Sequence, residues 1–188
     1  PNAFFSYNVA YRRDSLDAQT VARIANIFNN NRQFTDAIDV TECYRLSDTT
    51  SVDVNRQNAK AYCMLKDYKK AIERYESLKR MGDRSFLTFY YLGISYYGDN
   101  WFYGSYDNLK EAYAKNSTDI NVLYYYAKSC SRTSWKKEGV EFMEKAVEIA
   151  TPGDSILERL YKGLAECYGY AGESYKKIEV MNRLYKLN

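Results

Sequence analysis

Histidine is missing from all 188 residues, and proline occurs only twice, as Pro1 and Pro152. Without histidine the chain has no Ser-His-Asp triad, no His-containing zinc site and no side chain that ordinarily changes charge near neutral pH. With a single internal proline and nine glycines, few breaks are obligatory and helices become the default expectation. Cys43, Cys63, Cys130 and Cys167 stand singly with no CxxC spacing, so buried single thiols are expected rather than a disulfide framework or a metal centre. No run of 18 apolar residues exists, and no helix is expected to span a membrane. The net charge is only +3 and no Lys/Arg run exceeds two residues, well short of the basic stripe of a nucleic-acid domain. The start, Pro1-Asn2-Ala3-Phe4-Phe5, has neither an initiator methionine nor a signal peptide and reads as part of a longer chain.

What is abundant is tyrosine, 21 residues, and what is ordered is the spacing. Small residues recur at Ala25, Ala59, Gly93 and Ala127, each 34 residues after the last. A second ladder with the same step runs Ala3, Ala37, Ala71, Ser105 and Gly139. Aromatic ladders run Phe34, Tyr68, Phe102, and Phe28, Tyr62, Tyr96, the latter with Cys130 at its next rung. Four ladders in fixed mutual phase define a repeat. Within a unit, Ala59 and Tyr62 lie one helical turn apart on a shared face, and Ala71, Tyr75 and Leu78 follow the i, i+4, i+7 stripe of a second amphipathic helix. Small residues let two helix backbones approach, and the large ones fill the remaining holes. A lone hairpin of this kind cannot bury its apolar face, so it stacks on copies of itself.

Length and pattern resemble the tetratricopeptide repeat, W-x2-L-G-x2-Y followed by A-x3-F-x2-A and P. The matches are Phe89-x2-Leu92-Gly93-x2-Tyr96, Leu123-x2-Tyr126-Ala127-x2-Cys130, Ala71-x3-Tyr75 and Leu109-x2-Ala112. A pentatricopeptide array, with a period near 35, is the rival solenoid; the G/A-x2-Y and A-x3-F/Y offsets favour the tetratricopeptide type. The resemblance implies an all-α, right-handed α-solenoid of stacked antiparallel helical hairpins covering residues 1–188 as one array. An orphan second helix over 1–17 would precede full repeats at 18–51, 52–85, 86–119 and 120–153 and a degenerate last repeat at 158–188. Asp17, Ser51, Ser85 and Asp119 are N-cap residue types at the expected first-helix starts. The closing proline is replaced by Thr49, Asp83 and Ser117. Four residues around Thr151-Pro152-Gly153-Asp154 are inserted before the last unit, and Lys177 stands where a small residue belongs, so that joint is expected to be less regular.

Nothing here supports catalysis, a metal or a cofactor. The glycines at 98 and 104 and at 169 and 172 are expected in turns between helices, not in a strand–loop–helix phosphate cradle. Glu141, Glu144 and Glu148 sit at helical spacing beside Lys137 and Lys145, as a solvated helix face does. In the resembled family the first helices line a concave groove. Carried over by repeat position, this implies partner-binding residues Arg56, Lys60, Tyr90, Tyr97, Tyr124, Lys128 and Arg132, flanked by Gln19, Ala22, Asn26 and Asp53 at one end and by Asn121, Arg159 and Lys162 at the other. The lysine and asparagine pattern that clamps a chaperone tail is absent: only Asn26 fits when the pattern starts from the first unit. The partner expected is therefore another protein or peptide segment, acidic in character, with no nucleic acid. The alternative is a scaffold section that assembles, or self-associates, through uncapped ends or edges.

Overall fold

The computed structural model describes residues 17–151 and 153–185. Among these there are ten α-helices and no strand. In chain order they are α1 (Ala18–Asn30), α2 (Phe34–Arg45), α3 (Val52–Met64), α4 (Tyr68–Arg80), α5 (Phe86–Gly98), α6 (Phe102–Lys115), α7 (Ile120–Ser131), α8 (Lys136–Ile149), α9 (Ile156–Ala171) and α10 (Ser174–Tyr185). The orphan helix expected over 1–17 lies outside the described residues except for Asp17. The chain divides into two compact units, residues 1–99 and 100–188, so α1–α5 and α6–α10 are each considered within their own unit.

Local chemistry sets the helix starts. Asp17 accepts from Thr20 N–H at 2.9 Å, Ser51 from Val54 at 3.4 Å, Ser85 from Thr88 at 3.3 Å and Asp119 from Val122 at 3.0 Å. All four expected caps therefore cap, each contributing about 1 kcal/mol. The reversals between first and second helices are also periodic. Arg32, Lys66 and Asn100 have φ of 60°, 64° and 65° and lie 34 residues apart, a left-handed conformation that costs a residue with a Cβ about 1–2 kcal/mol. The reversal recovers hydrogen bonds to the helix end: Gln33 N–H reaches Phe28 O at 2.8 Å and Asp67 N–H reaches Tyr62 O at 3.0 Å, closing the last turn. At the end of α9 Gly172 takes this role, with φ of 80°.

The small-residue ladders are the contact lines. Ala25, Ala37, Ala59, Ala71, Ser105 and Ala127 are fully buried, and Gly93 is buried with them. Gly139 shows why size matters. A Cβ there would lie 2.4 Å from Ser131 Oγ and 2.8 Å from the Ala127 carbonyl, so α7 and α8 touch nearly backbone to backbone. In the first unit two apolar clusters form, one around Val21, Ala25, Val40 and Val54 and one around Tyr75, Leu78 and Leu92. In the second unit Leu123, Met143, Leu160 and Leu164 share a single cluster. The last hairpin departs as expected: α9 has 16 residues where the others have 12 to 14. Ser155 before it makes no side-chain cap. Lys177, occupying a small-residue position, is accommodated because it lies over Gly169, within 3.9 Å of where a Cβ would sit.

Successive helices are also tied by a repeated polar bond. The Tyr62 hydroxyl donates to Glu42 at 3.1 Å and that of Tyr96 to Glu76 at 2.8 Å, and the Tyr168 hydroxyl donates to Glu144. Each bond joins a first helix to the second helix before it. The glutamates keep the 34-residue step, and one rung is missing: position 110 is lysine and its partner position 130 is cysteine. At the first rung Glu42 also accepts from Arg74 at 3.2 Å and Asn58 at 3.1 Å. Burial alone would raise the Glu42 carboxyl, but Arg74, Asn58 and Arg45 outweigh it and hold it below its ordinary value. Burial and the Glu42 carboxylate together push Tyr62 up to about 12.

Candidate functional site

In the first unit α3 packs against α1 and against α5. Gln19, Ala22 and Asn26 of α1 and Asp53 and Gln57 of α3 line one cleft of 320 Å³, so four positions assigned to the inner face by repeat register meet there. Asn29 spans the same two helices, donating at 3.0 Å to both the backbone and the side-chain oxygen of Gln57.

The cations named from the sequence divide into two kinds. Arg56 is taken up internally: it reaches Asp83 at 2.9 and 3.2 Å and Asp53 at 2.8 Å. Asp83, at a closing-proline position, also accepts the Thr88 hydroxyl at 2.7 Å and Ser85 N–H at 2.9 Å. Burial pulls the Asp83 carboxyl upward, but these bonds prevail and keep it below the ordinary carboxylate range. A charged staple thus replaces the ring, tying α3 to the turn that enters α5. Lys60, one turn along from Arg56, is different. It is half-buried, and burial alone lowers its ammonium below the ordinary lysine value, with no carboxylate among the described residues compensating.

Tyr90 and Tyr97 are half-buried on α5. The Tyr90 ring stacks on Phe86 at 5.7 Å and meets Tyr91 edge-on at 5.0 Å; Tyr91 stacks in turn on Tyr75 at 6.2 Å. Tyr90 is therefore the outer member of an aromatic chain that runs into the core.

In the second unit α7 and α9 meet residue by residue with an offset of 38, the repeat plus the four inserted residues. Arg159 donates to Asn121 at 2.6 Å, Lys128 pairs with Glu166 at 2.8 Å, and Arg132 lies 5.6 Å from the Tyr170 ring centre. Tyr124 is wedged between the two helices, 3.0 Å from where a Cβ of Gly163 would be. Its ring carries Arg159 at 4.6 Å and Lys128 at 5.6 Å. Arg132, which caps the end of α7, also lies over Phe102 at 4.2 Å. Lys128 is thus neutralised by Glu166. Arg132 and Arg159 are exposed, rest on aromatic rings and have no carboxylate partner among the described residues. Asp83 was named in the sequence only as a stand-in for the closing proline, not as a partner of Arg56, and Glu166 was not named; the 38-residue offset between Ala127 and Ala165 also relates Lys128 to Glu166 and was the available signal.

The two tryptophans precede second helices and differ in fate. Trp135 stacks on Tyr106 at 4.0 Å, while Trp101 is exposed with its ring against Gly104. All four cysteines are buried, and none is in a disulfide. Burial pushes Cys63 and Cys167 up to about 11 and Cys130 up to about 12, which disfavours the thiolate a nucleophile or metal ligand needs. Among the described residues no group of His, Cys, Asp and Glu is placed to hold a metal ion, and no helix is long and apolar enough to cross a membrane.

No family profile matches the chain, and no curated protein does. Solved structures do. The structure titled "Crystal structure of YrrB: a TPR protein with an unusual peptide-binding site" superposes with a TM-score of 0.78 at 16% identity, covering 97% of this chain and 92% of that one. MamA, residues 41 to the end, from Desulfovibrio magneticus RS-1 superposes at 0.76 with 15% identity, covering 90% and 94%. A Podosopora anserina putative kinesin light chain with nearly identical TPR-like repeats superposes at 0.69 with 14% identity, covering 89% and 93%. At such identities the likeness is one of fold, and it agrees with the ten-helix order, the buried small-residue ladders and the four working caps: the chain has the tetratricopeptide-repeat fold.

Proposed function

We propose that this chain binds a segment of another protein along the faces of its first helices, and that the segment is acidic. The observation that carries the reading is the pair Arg132 and Arg159, two guanidiniums seated on aromatic rings and unpaired with carboxylate among the described residues. A ring holds the cation in place without neutralising it, so the group remains available to a ligand carboxylate. Lys60 adds to this in the first unit, since an anion beside a partly desolvated ammonium restores the charge that burial disfavours. Arg56 and Lys128 contribute by rigidity, having their carboxylates already. Tyr90, Tyr97 and Tyr124 contribute contact area at small entropic cost. YrrB, of the same fold, is described as having an unusual peptide-binding site, which is consistent with this use of the fold. The reading is of binding without catalysis, for a chain with no histidine and with thiols held protonated.

The test is surface kinetics of the whole chain over immobilised 12-residue peptides graded in Asp and Glu content. Binding is expected to rise with acid content and to weaken with salt as exposed charges are screened. Arg132→Glu with Arg159→Glu should slow association most, while Tyr90→Ala should speed dissociation. If reversing Lys110 and Lys137, on second helices, weakens binding while the inner-face variants do not, the assignment to the first helices is wrong.

A further inference from the structure

The joint of α8, α9 and α10 repeats the plan of the one before it with smaller side chains. One repeat earlier, α6, α7 and α8 fill the space between them with three rings. Tyr113 lies 5.2 Å from Phe142 and 5.8 Å from Tyr126, and Tyr126 lies 4.5 Å from Phe142. Lys145 donates to the Tyr113 hydroxyl at 2.9 Å and so holds the phenol in place. In the first unit the same repeat positions carry Arg45, Asn58 and Arg74, and Arg74 donates to Asn58 at 3.2 Å. At the last joint they fall on Val147, Leu164 and Val180. Tyr161 and Tyr168 stand where Leu123 and Cys130 stand one repeat earlier and return two rings. A cleft of 450 Å³ nonetheless stays open, lined by these five side chains, and its volume is in the range of small-ligand sites. The rings that fill the earlier joint all belong to the three helices that form it, so the cleft follows from the side chains of its own joint.

The charges lining the cleft are unequally matched. Arg183, the counterpart of Lys145, pairs with Glu179 at 2.7 Å, and a guanidinium has five N–H donors. Lys176 pairs with Glu173 at 2.7 Å and lies 5.4 Å from the centre of the Tyr168 ring. Glu144 accepts the Tyr168 hydroxyl. Glu148, one turn further along α8, lines the cleft with no cation partner among the described residues.

We infer that this cleft binds a phenol ring carried beside a cationic group. The ring takes the volume that Tyr113 fills one repeat earlier, Arg183 donates to its hydroxyl as Lys145 does there, and Glu148 with Glu144 meets the cation. Tyr161 and Tyr168 supply aromatic surface for an offset or edge-on ring contact. The site shares no residue with the acidic-segment reading of the first-helix faces and stands or falls apart from it.

The probe is tyramine, titrated into the whole chain and followed by the methyl resonances of Val147, Leu164 and Val180. Saturable ring-current shifts at these methyls are expected, with half-saturation below about 1 mM. Phenethylamine, which lacks the hydroxyl, and p-cresol, which lacks the cation, should each bind several-fold more weakly than tyramine. Val147→Tyr, which puts back the ring of the earlier joint, should weaken tyramine at least tenfold with the helical circular dichroism unchanged. Arg183→Leu should weaken tyramine several-fold and leave phenethylamine as it was. Acetyl-Lys-Tyr-Lys-amide distinguishes the sources of such a group: tighter binding than tyramine assigns the site to a tyrosine in a basic protein segment, weaker binding to a free arylamine, and either sustains the inference. No saturation up to about 10 mM tyramine, binding indifferent to Val147→Tyr, or tighter binding of 3-(4-hydroxyphenyl)propionate than of tyramine overturns it. The ligand comparisons use the unaltered chain and decide the matter even if a variant fails to fold.

Discussion

Replacing Tyr96 with phenylalanine isolates the bond that ties α5 to α4. The ring stays, so packing is conserved, and the only loss is a hydroxyl that donates to Glu76 at 2.8 Å. A hydrogen bond to a charged group contributes about 1.5–3 kcal/mol when both partners are shielded. Here the glutamate side chain is 30% exposed and also meets Lys79 at 3.4 Å, so water and the lysine compensate part of the loss. The expected cost is about 1–1.5 kcal/mol, below the range for a shielded charged bond. At roughly 2–4 °C per kcal/mol for a chain of this size, the melting temperature should fall by about 2–6 °C. Glu76→Ala and the double variant complete a cycle whose coupling energy is expected near 1 kcal/mol, read by urea denaturation followed by circular dichroism. Because Tyr96 and Glu76 both lie in the unit of residues 1–99, biphasic unfolding should show the effect in one transition only. A coupling energy within about 0.3 kcal/mol of zero would mean that the repeated tyrosine–glutamate contact does not help hold the helices together.

Tyr75→Phe should do the opposite: the Tyr75 hydroxyl is fully buried with no hydrogen-bond partner among the described residues, so removing it should leave stability unchanged or raise it by about 1 kcal/mol in thermal unfolding. A loss of more than about 1 kcal/mol would reveal a bridging partner at that hydroxyl. Stability should also fall in alkali. Burial raises Cys63 and Cys167 from 9.0 to about 11, Cys130 from 9.0 to about 12, and Tyr62 from 10.0 to about 12. Groups with raised folded values contribute stability that is complete below the unfolded values and is lost as pH climbs through the folded ones. Urea midpoints should therefore be steady up to about pH 9 and decline from there towards 12; a flat profile through pH 11 would refute the burial of these groups.

Much of the fold was legible because it is local and repeated. Asp17, Ser51, Ser85 and Asp119 act on N–H groups two or three residues away, and any chain segment with that spacing makes the same bond. Ala25, Ala59 and Ala71 are buried because a 34-residue period permits only one set of faces to meet. The tyrosine–glutamate rungs, 20 residues apart in the first unit and 24 across the four-residue insertion, could have been found by following the glutamate step from Glu42 to Glu76 and Glu144. The site was less legible. Repeat register gives Arg56, Lys60, Lys128 and Arg132 equivalent inner-face positions only as an expectation, and register says nothing about which charges are already neutralised.

Residue order alone was enough to set the helices, their succession, their starts and the small-residue lines along which they pack, since each depends on neighbours within one turn or one repeat. Packing in three dimensions settled that Arg56 belongs to Asp83 and Lys128 to Glu166, that Tyr124 is a wedge over Gly163, and that Arg132 and Arg159 rest on their rings without a carboxylate among the described residues. Those outcomes depend on distances between residues 27 to 39 apart in the chain, where a shift of an ångström or two decides whether a charge finds a carboxylate, an aromatic face or solvent.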